Sequence, residues 1–226
     1  MSRPFCRTVR NEASPKRAAP FACWLVIMAK VPIAGRVKTR LAREIGAVRA
    51  TMFYRLALRN VIARLGRQPF WRAVVIVDPD TGVASRMLPS GVARAGQGRG
   101  DLGVRMQRPM RMLPPGPVCL IGTDVPDISV ADVRRAFRQL GDADAVFGPA
   151  EDGGFWLVGL KRMPRVIDPY RGRVPWSQAD TLARTLANLV DHRTALAARH
   201  HDVDSAADLA GNRGRFARRV PPLPWR

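Results

Sequence analysis

The strongest constraint on the fold is an alternation of short apolar runs with helical patterns along most of the chain. Residues 22–29 (ACWLVIMA), 73–77 (AVVIV) and 118–122 (VCLIG) are continuous apolar runs, as expected of strands covered on both faces. Further short strands are predicted at 91–95, 143–147, 155–159 and 200–203. Helical spacing marks 39–45, 48–65, 101–113, 129–140 and 177–190. Ser129 and Asp132 stand at capping-box spacing, as do Ser205 and Asp208 at the start of a last helix. Strands and helices in alternation imply an α/β fold, with a mostly parallel sheet and helices on both faces. Ligands of such sheets sit beyond the carboxyl ends of the strands. The segments in those positions are 30–38, 78–80, 123–127, 149–154 and 202–204, where polar and charged residues concentrate.

Composition narrows the class. Hydrophobic residues make up 46% and charged residues 25% of the 226, which excludes a disordered or collagen-like chain. Cys6, Cys23 and Cys119 show no CxxC spacing, so neither a disulfide framework nor a zinc site is indicated. Basic residues number 38 against 18 acidic, a net charge of +20. All but four of the 38 (Lys16, Lys30, Lys38 and Lys161) are arginine. The excess is concentrated before residue 78, which suits an anionic ligand such as phosphate or nucleic acid. Residues 1–20 read as a disordered basic tail, 21–212 as a single domain, and 213–226 as a basic, Pro-rich tail. The arginine-rich start followed by the apolar run 21–29 imitates a secretory signal. No small-residue cleavage site follows, so the run is read as the first strand and the protein as cytoplasmic. No apolar run is long enough to span a bilayer, and no internal repeat is visible.

Four motifs carry chemistry. In AKVPIAGRVKTRLA (29–42), the cations Lys30, Arg36, Lys38 and Arg40 crowd a loop that opens a helix, which makes a natural phosphate site. It lacks the spacing of a P-loop and of a GxGxxG turn. In IGTDVPD (121–127), Asp124 follows a buried strand in a turn set by Pro126. There it can hold a hard cation shared with substrate phosphates. In GPAEDGGFWLVGL (148–160), Glu151 and Asp152 precede Gly153 and Gly154, where backbone can approach a ligand closely. In HDVDSAADL (201–209), Asp202 and Asp204 share a face of an extended segment. Lys38, Asp124, Asp152 and Asp204 are therefore expected around one cleft. Trp156 and Trp176 read as core aromatics, and the three histidines as structural.

The ordered set of AK-P--G-VKTRL, Q--GDLG-RM, IGTD-P, GPAEDGG, a W-S pair and DVD---DL resembles the uncharacterised glycosyltransferase-like family associated with arsenosugar biosynthesis loci. That family lies in the glycosyltransferase-A, or nucleotide-diphospho-sugar transferase, superfamily. The chain is also similar to 2-phospholactate guanylyltransferases and molybdenum cofactor nucleotidyltransferases. The likeness runs from about Trp24 to Leu209. It implies a Rossmann-like three-layer α/β/α sandwich that binds a nucleotide. By motif it places Lys38, Thr39 and Arg40, beside Lys30, on the phosphate side. Gln97, Gly100, Asp101 and Leu102 fall in a segment that closes over the nucleotide or acceptor. The likeness makes Asp124 and Asp204 the ligands of Mg²⁺ or Mn²⁺, and puts Glu151, Asp152, Gly153 and Gly154 in the acceptor-side loop. Ala34 departs from the usual proline. Phe155-Trp156 replace paired tyrosines, and Ser205-Ala206-Ala207 replace Thr-Pro-Glu; both changes bear on the acceptor more than on the carboxylates.

The implied activity is metal-dependent transfer from a nucleotide-sugar or nucleoside triphosphate donor to an unidentified small-molecule acceptor. Lys38 stabilises the leaving phosphate, and Asp152 or Glu151 serves as acceptor base. Glycosyl transfer is favoured by the nearest resemblance, with nucleotidyl transfer of the guanylyltransferase type as the alternative. A nucleic-acid-binding protein ranks lower, because no zinc finger, RNP pattern or stacking platform accompanies the charge. Retention of Asp124, Glu151, Asp152 and Asp204 argues against a non-catalytic remnant.

Overall fold

A computed structural model describes residues 21–172 and 174–211. Both expected tails, 1–20 and 213–226, therefore lie outside the described residues. Seven strands form one sheet: β1 (Trp24–Lys30), β2 (Arg72–Asp78), β3 (Ala93–Gly96), β4 (Val118–Ile121), β5 (Ala145–Pro149), β6 (Phe155–Leu160) and β7 (Thr194–Leu196). Their order is β3-β2-β1-β4-β6-β5-β7. All pairings are parallel except those of β6, which runs antiparallel to both β4 and β5. The reversal follows from the glycine turn at 153–154, which makes β5 and β6 a hairpin rather than a crossover pair.

The helices are α1 (Thr39–Ile45), α2 (Ala47–Leu65), α3 (Leu102–Met112), α4 (Val130–Gln139), α5 (Thr181–Ala187) and α6 (Ala206–Gly211). They cover both faces of the sheet, because the period-two alternation of each buried strand is apolar in both registers. On β1, Leu25, Ile27 and Ala29 pack with Leu58 and Val61 of α2 and Val133 and Ala136 of α4. Val26, together with Val74 and Ile76 of β2, packs on the other side with Met106 and Met110 of α3. A smaller cluster joins Leu41, Ala50 and Phe53 to Val203. The capping box at Ser129 is formed, with the Ser129 hydroxyl and Asp132 carboxylate each bonded to the other's backbone N–H. Ser205 and Asp208 make the same exchange before α6.

Two expectations change. The stretch 200–203 is not a strand: it makes one isolated bridge, Ala150 to His200. The strand that pairs with β5 is β7, three residues at the sheet edge with a mostly exposed surface. The helix expected at 177–190 is confined to α5. Ser177 adopts φ 59°, and the Thr181 hydroxyl donates to the Pro175 carbonyl at 2.6 Å, so a turn occupies the first residues.

Candidate functional site

Lys38 stands at the centre of the site. Its Nζ lies 2.6 Å from Asp124 Oδ1 and 2.7 Å from Asp204 Oδ1. The Lys38 side chain is only 4% exposed, against 59% for Asp124 and 36% for Asp204. Burial alone would lower the Lys38 pKa. The charges and hydrogen bonds of Asp124 and Asp204 overcome that and hold it above its ordinary value. Arg40 Nη1 reaches Asp204 Oδ2 at a looser 3.7 Å. Lys38 also adopts a left-handed backbone, φ 48° and ψ 49°, immediately before α1. A non-glycine residue there costs about 1–2 kcal/mol, which the two carboxylates help offset.

Backbone bonds fasten the acidic loops to each other. The Val203 N–H donates to the Asp124 carbonyl at 3.2 Å, and the His200 N–H to the Pro149 carbonyl at 3.1 Å. The segment 200–204 is thus stitched to the end of β5 by His200 and to the loop after β4 by Val203. Arg64 of α2 donates to the carbonyls of Pro126 and Ile128 at 2.8 and 2.7 Å, which fixes the far side of the Asp124 turn.

These loops line a cleft of about 880 Å³ beyond the strand ends, large enough for a nucleotide-sized ligand. Its walls include Lys30, Lys38, Thr39, Arg40, Gln97, Gly100, Asp101, Asp124, Asp152, Gly154 and Asp204. Lys38, Asp124, Asp152 and Asp204 thus share one cleft, and Trp156 and Trp176 border it. Gln97 is buried, and its side-chain amide donates to the carbonyls of Ala29 and Ile76 at 3.1 and 3.2 Å. It locks β3 to β1 and β2 as well as lining the wall. Asp101 caps α3 through the Val104 N–H at 2.9 Å.

Three further residues line the cleft: Asp202 and Asp78, both in segments expected beyond the strand ends, and Tyr54, which sequence reasoning missed. Asp202 lines it beside Asp204; burial first, then the charge of Asp152, pushes the Asp202 carboxyl above its ordinary pKa. Asp78, the last residue of β2, pairs with Arg105 at 3.3 Å; its place at a strand end was the available signal. Tyr54 carries no such signal. Its hydroxyl accepts from the Lys30 N–H at 2.8 Å and lies 3.3 Å from the Thr123 hydroxyl, and burial raises its pKa to about 12.

Glu151 and Gly153 are not part of the cleft wall. Glu151 Oε2 lies 2.7 Å from His201 Nδ1, and Asp208 Oδ1 lies 3.1 Å from His201 Nε2. An imidazolium donates to both carboxylates at once, which neutral imidazole cannot do. The hydrogen bond to Glu151 is the main cause that raises the His201 pKa above 6.5; slight burial opposes it, and Asp208 adds to the rise. A raised folded-state pKa stabilises the fold fully below the unfolded value, and that stability is lost as pH climbs through the folded value. The melting-temperature advantage of the wild type over His201→Gln is therefore expected to be largest near pH 6 and to shrink from about pH 6.5 upward. A gap that stays constant to pH 9 would show that His201 does not work as a cation.

Comparison with known proteins places this architecture. A family model described as "Uncharacterized protein conserved in bacteria (DUF2064)" matches residues 61–178, more than half of the 226. No curated protein matches the chain. Among solved structures, it is similar to a proposed nucleotide-diphospho-sugar transferase from Desulfovibrio desulfuricans G20. That protein is 27% identical, with a TM-score of 0.78 over 88% of this chain and 91% of that one. It also resembles 4-diphosphocytidyl-2C-methyl-D-erythritol synthase from Anaerococcus prevotii DSM 20548, at 7% identity, a TM-score of 0.56, and coverage of 88% and 100%. The CMP:2-keto-3-deoxy-manno-octonic acid synthetase, solved with CTP, gives 14%, 0.55, 88% and 100%. The fold is that of the nucleotide-diphospho-sugar transferases. Among the described residues, no helix is long and apolar enough to cross a membrane.

Proposed function

We propose that this chain, which belongs to the uncharacterised bacterial family matched over residues 61–178, is a metal-dependent transferase that uses a nucleotide-sugar or nucleoside triphosphate donor. The observation that carries the reading is the convergence of Lys38, Asp124 and Asp204 in a cleft that Asp152 and Asp202 also line. The likeness to the Desulfovibrio protein supports the donor class.

The residues fit a divalent cation. Asp124 and Asp204 each turn one oxygen toward the Lys38 ammonium. No cluster of three or more Asp, Glu, His or Cys metal ligands exists among the described residues, so substrate phosphates would complete the oxygen set that Mg²⁺ or Mn²⁺ prefers. Asp152 and Asp202 line the cleft beside Asp124 and Asp204, which adds negative charge around Lys38 for a cation to neutralise. When bound there, the cation supplies Lewis-acid stabilisation of the phosphates. Lys38, Arg40 and Lys30 hold phosphate oxygens and stabilise charge on the leaving group. Gln97, Gly100 and Asp101 close the nucleotide side. Tyr54, buried under Lys30, keeps the end of β1 in register with the Asp124 loop.

Glycosyl transfer is the favoured chemistry. Asp152 is the acceptor-side carboxylate within the cleft, positioned by its own hydrogen bond from the Gly154 N–H at 2.9 Å, and it takes the acceptor proton. Glu151, engaged with His201, supports that loop from outside. Gly154 lets the acceptor approach the backbone. Nucleotidyl transfer, with the same carboxylates positioning an acceptor phosphate, is the second reading; the nucleotidyltransferase folds among the neighbours favour it.

A panel of nucleoside triphosphates and nucleotide sugars, each with Mg²⁺ or Mn²⁺, tests the reading by melting temperature. A ligand present at 100 times its dissociation constant adds about 2.7 kcal/mol of stability. A clear rise for one compound, dependent on the cation, is expected. Product analysis then separates the chemistries, since glycosyl transfer releases the nucleotide and nucleotidyl transfer releases pyrophosphate. No stabilisation by any member of the panel would overturn the donor class.

A further inference from the structure

The same cleft contains an arrangement that the proposed activity does not require. The Lys38 ammonium already occupies the point on which Asp124 and Asp204 converge, at hydrogen-bonding distance from one oxygen of each. It is almost fully buried, and its backbone is held in the left-handed region that aims it there. A divalent cation bonded to those two oxygens would stand within about 5 Å of the ammonium, given oxygen–metal distances of ~2.1 Å. Like charges that close, in a half-buried site, repel strongly. Asp124 and Asp204 therefore cannot serve both partners fully at once.

Resting on the metal site proposed above, we infer that Lys38 and the divalent cation compete for Asp124 and Asp204. Lys38 is the built-in counter-ion of the free protein. It leaves the carboxylates when donor phosphate offers it another anionic partner, and only then is the cation site fully open. Metal and donor binding are thereby coupled through one side chain. By reciprocity, the factor by which the donor tightens metal binding equals the factor by which metal tightens donor binding. Metal without donor would bind weakly, and donor without metal would leave the surplus carboxylates facing its phosphates.

Competition gives Lys38 an effect on metal binding opposite in sign to that of an ordinary phosphate-binding lysine. Removing Lys38 should strengthen the binding of metal alone while weakening the binding of metal with phosphate. The test is calorimetric titration of MnCl₂ alone, at pH 8, into the wild type, Lys38→Met and Lys38→Arg. Lys38→Met is expected to bind Mn²⁺ at least ~10-fold more tightly than the wild type, on the scale of one removed unit charge at this range. Lys38→Arg, which keeps the charge, is expected to stay near the wild type. Adding Asp124→Asn to Lys38→Met should abolish the gain. Titration with Mn²⁺ and inorganic tripolyphosphate should show the reverse order, wild type tighter than Lys38→Met. Circular dichroism checks folding, and Lys38→Gln replaces Lys38→Met if the latter is misfolded.

Equal Mn²⁺ affinity in the wild type and Lys38→Met would overturn the competition. If Mn²⁺ with tripolyphosphate still bound the wild type and failed with Asp124→Asn, the metal site itself would stand. Absence of Mn²⁺ binding in every protein, with and without tripolyphosphate, would overturn both the competition and the metal site.

Discussion

Asp124→Asn is expected to remove metal-assisted donor binding and to lower transfer by about 10²–10³-fold, the scale for losing a main electrostatic stabiliser. Asn is nearly isosteric with Asp and tolerates the same turn, so the loop keeps its shape. Its backbone carbonyl still accepts from Val203. What is lost is one negative charge at the point where Asp124 and Asp204 meet. The stability cost should be small, about 1 kcal/mol or less, because the Asp124 side chain is largely exposed and Asp204 remains on Lys38. A residue that only shaped the turn would behave in the opposite way, with lower stability and unchanged metal response. Calorimetry with Mg²⁺ and the donor found in the panel, beside thermal melts of both proteins, separates the two. Equal metal-dependent donor affinity in wild type and variant would take Asp124 out of the site.

The central strands were legible because burial on both faces makes a run without polar interruption. The expected 22–29, 73–77 and 118–122 differ from β1, β2 and β4 by at most two residues at either end. Lys30 and Asp78 close β1 and β2 and are themselves cleft residues, so the signal that ended each strand also marked the site. Helix α4 was equally clear, since its cap is written locally as Ser129 and Asp132. The edge strand β7 was not, although the other edge strand, β3, falls within two residues of the expected 91–95. Thr194–Leu196 is too short and too exposed to show a pattern. The apolar residue at 203 suggested a strand, but Val203 is buried against Leu41, Ala50 and Phe53, and its N–H goes to Asp124. A hydrogen bond between residues so far apart in sequence leaves no local trace.

The same limit applies within the site. Which loops meet followed from the rule that ligands gather at the carboxyl ends of strands. Which side chains pair did not. Lys38 was read as a phosphate cation from its neighbours in sequence, whereas in space its partners are the two carboxylates expected to bind metal. Glu151 and Asp152 are adjacent in sequence and looked equivalent. A turn separates them, sending Asp152 into the cleft and Glu151 outward to His201.

That turn gives the second large effect, in Gly153→Ala. Gly153 has φ +84°, and a Cβ there would fall well inside contact distance of the Ala179 carbonyl oxygen. The obstacle is backbone, so no side-chain rotation relieves it. The left-handed conformation alone costs a non-glycine residue about 1–2 kcal/mol, and displacing the Ala179 backbone should bring the total to about 2–4 kcal/mol. In a chain of this size that lowers the melting temperature by roughly 4–16 °C. The damage should also reach function, because the Gly153 carbonyl accepts from the Leu182 N–H at 3.0 Å in the first turn of α5. Pushing Ala179 away moves that anchor and, with it, Asp152 next door. Gly172→Ala is the comparison: φ is +67°, but nothing lies within 4 Å of the added carbon. It should therefore show the conformational cost alone and leave the acceptor side untouched. Thermal melts of the two variants, with donor affinity measured beside acceptor KM, decide the matter. Equal losses in both would mean that the Ala179 contact carries no weight, and an unchanged acceptor KM in Gly153→Ala would detach the turn from the positioning of Asp152.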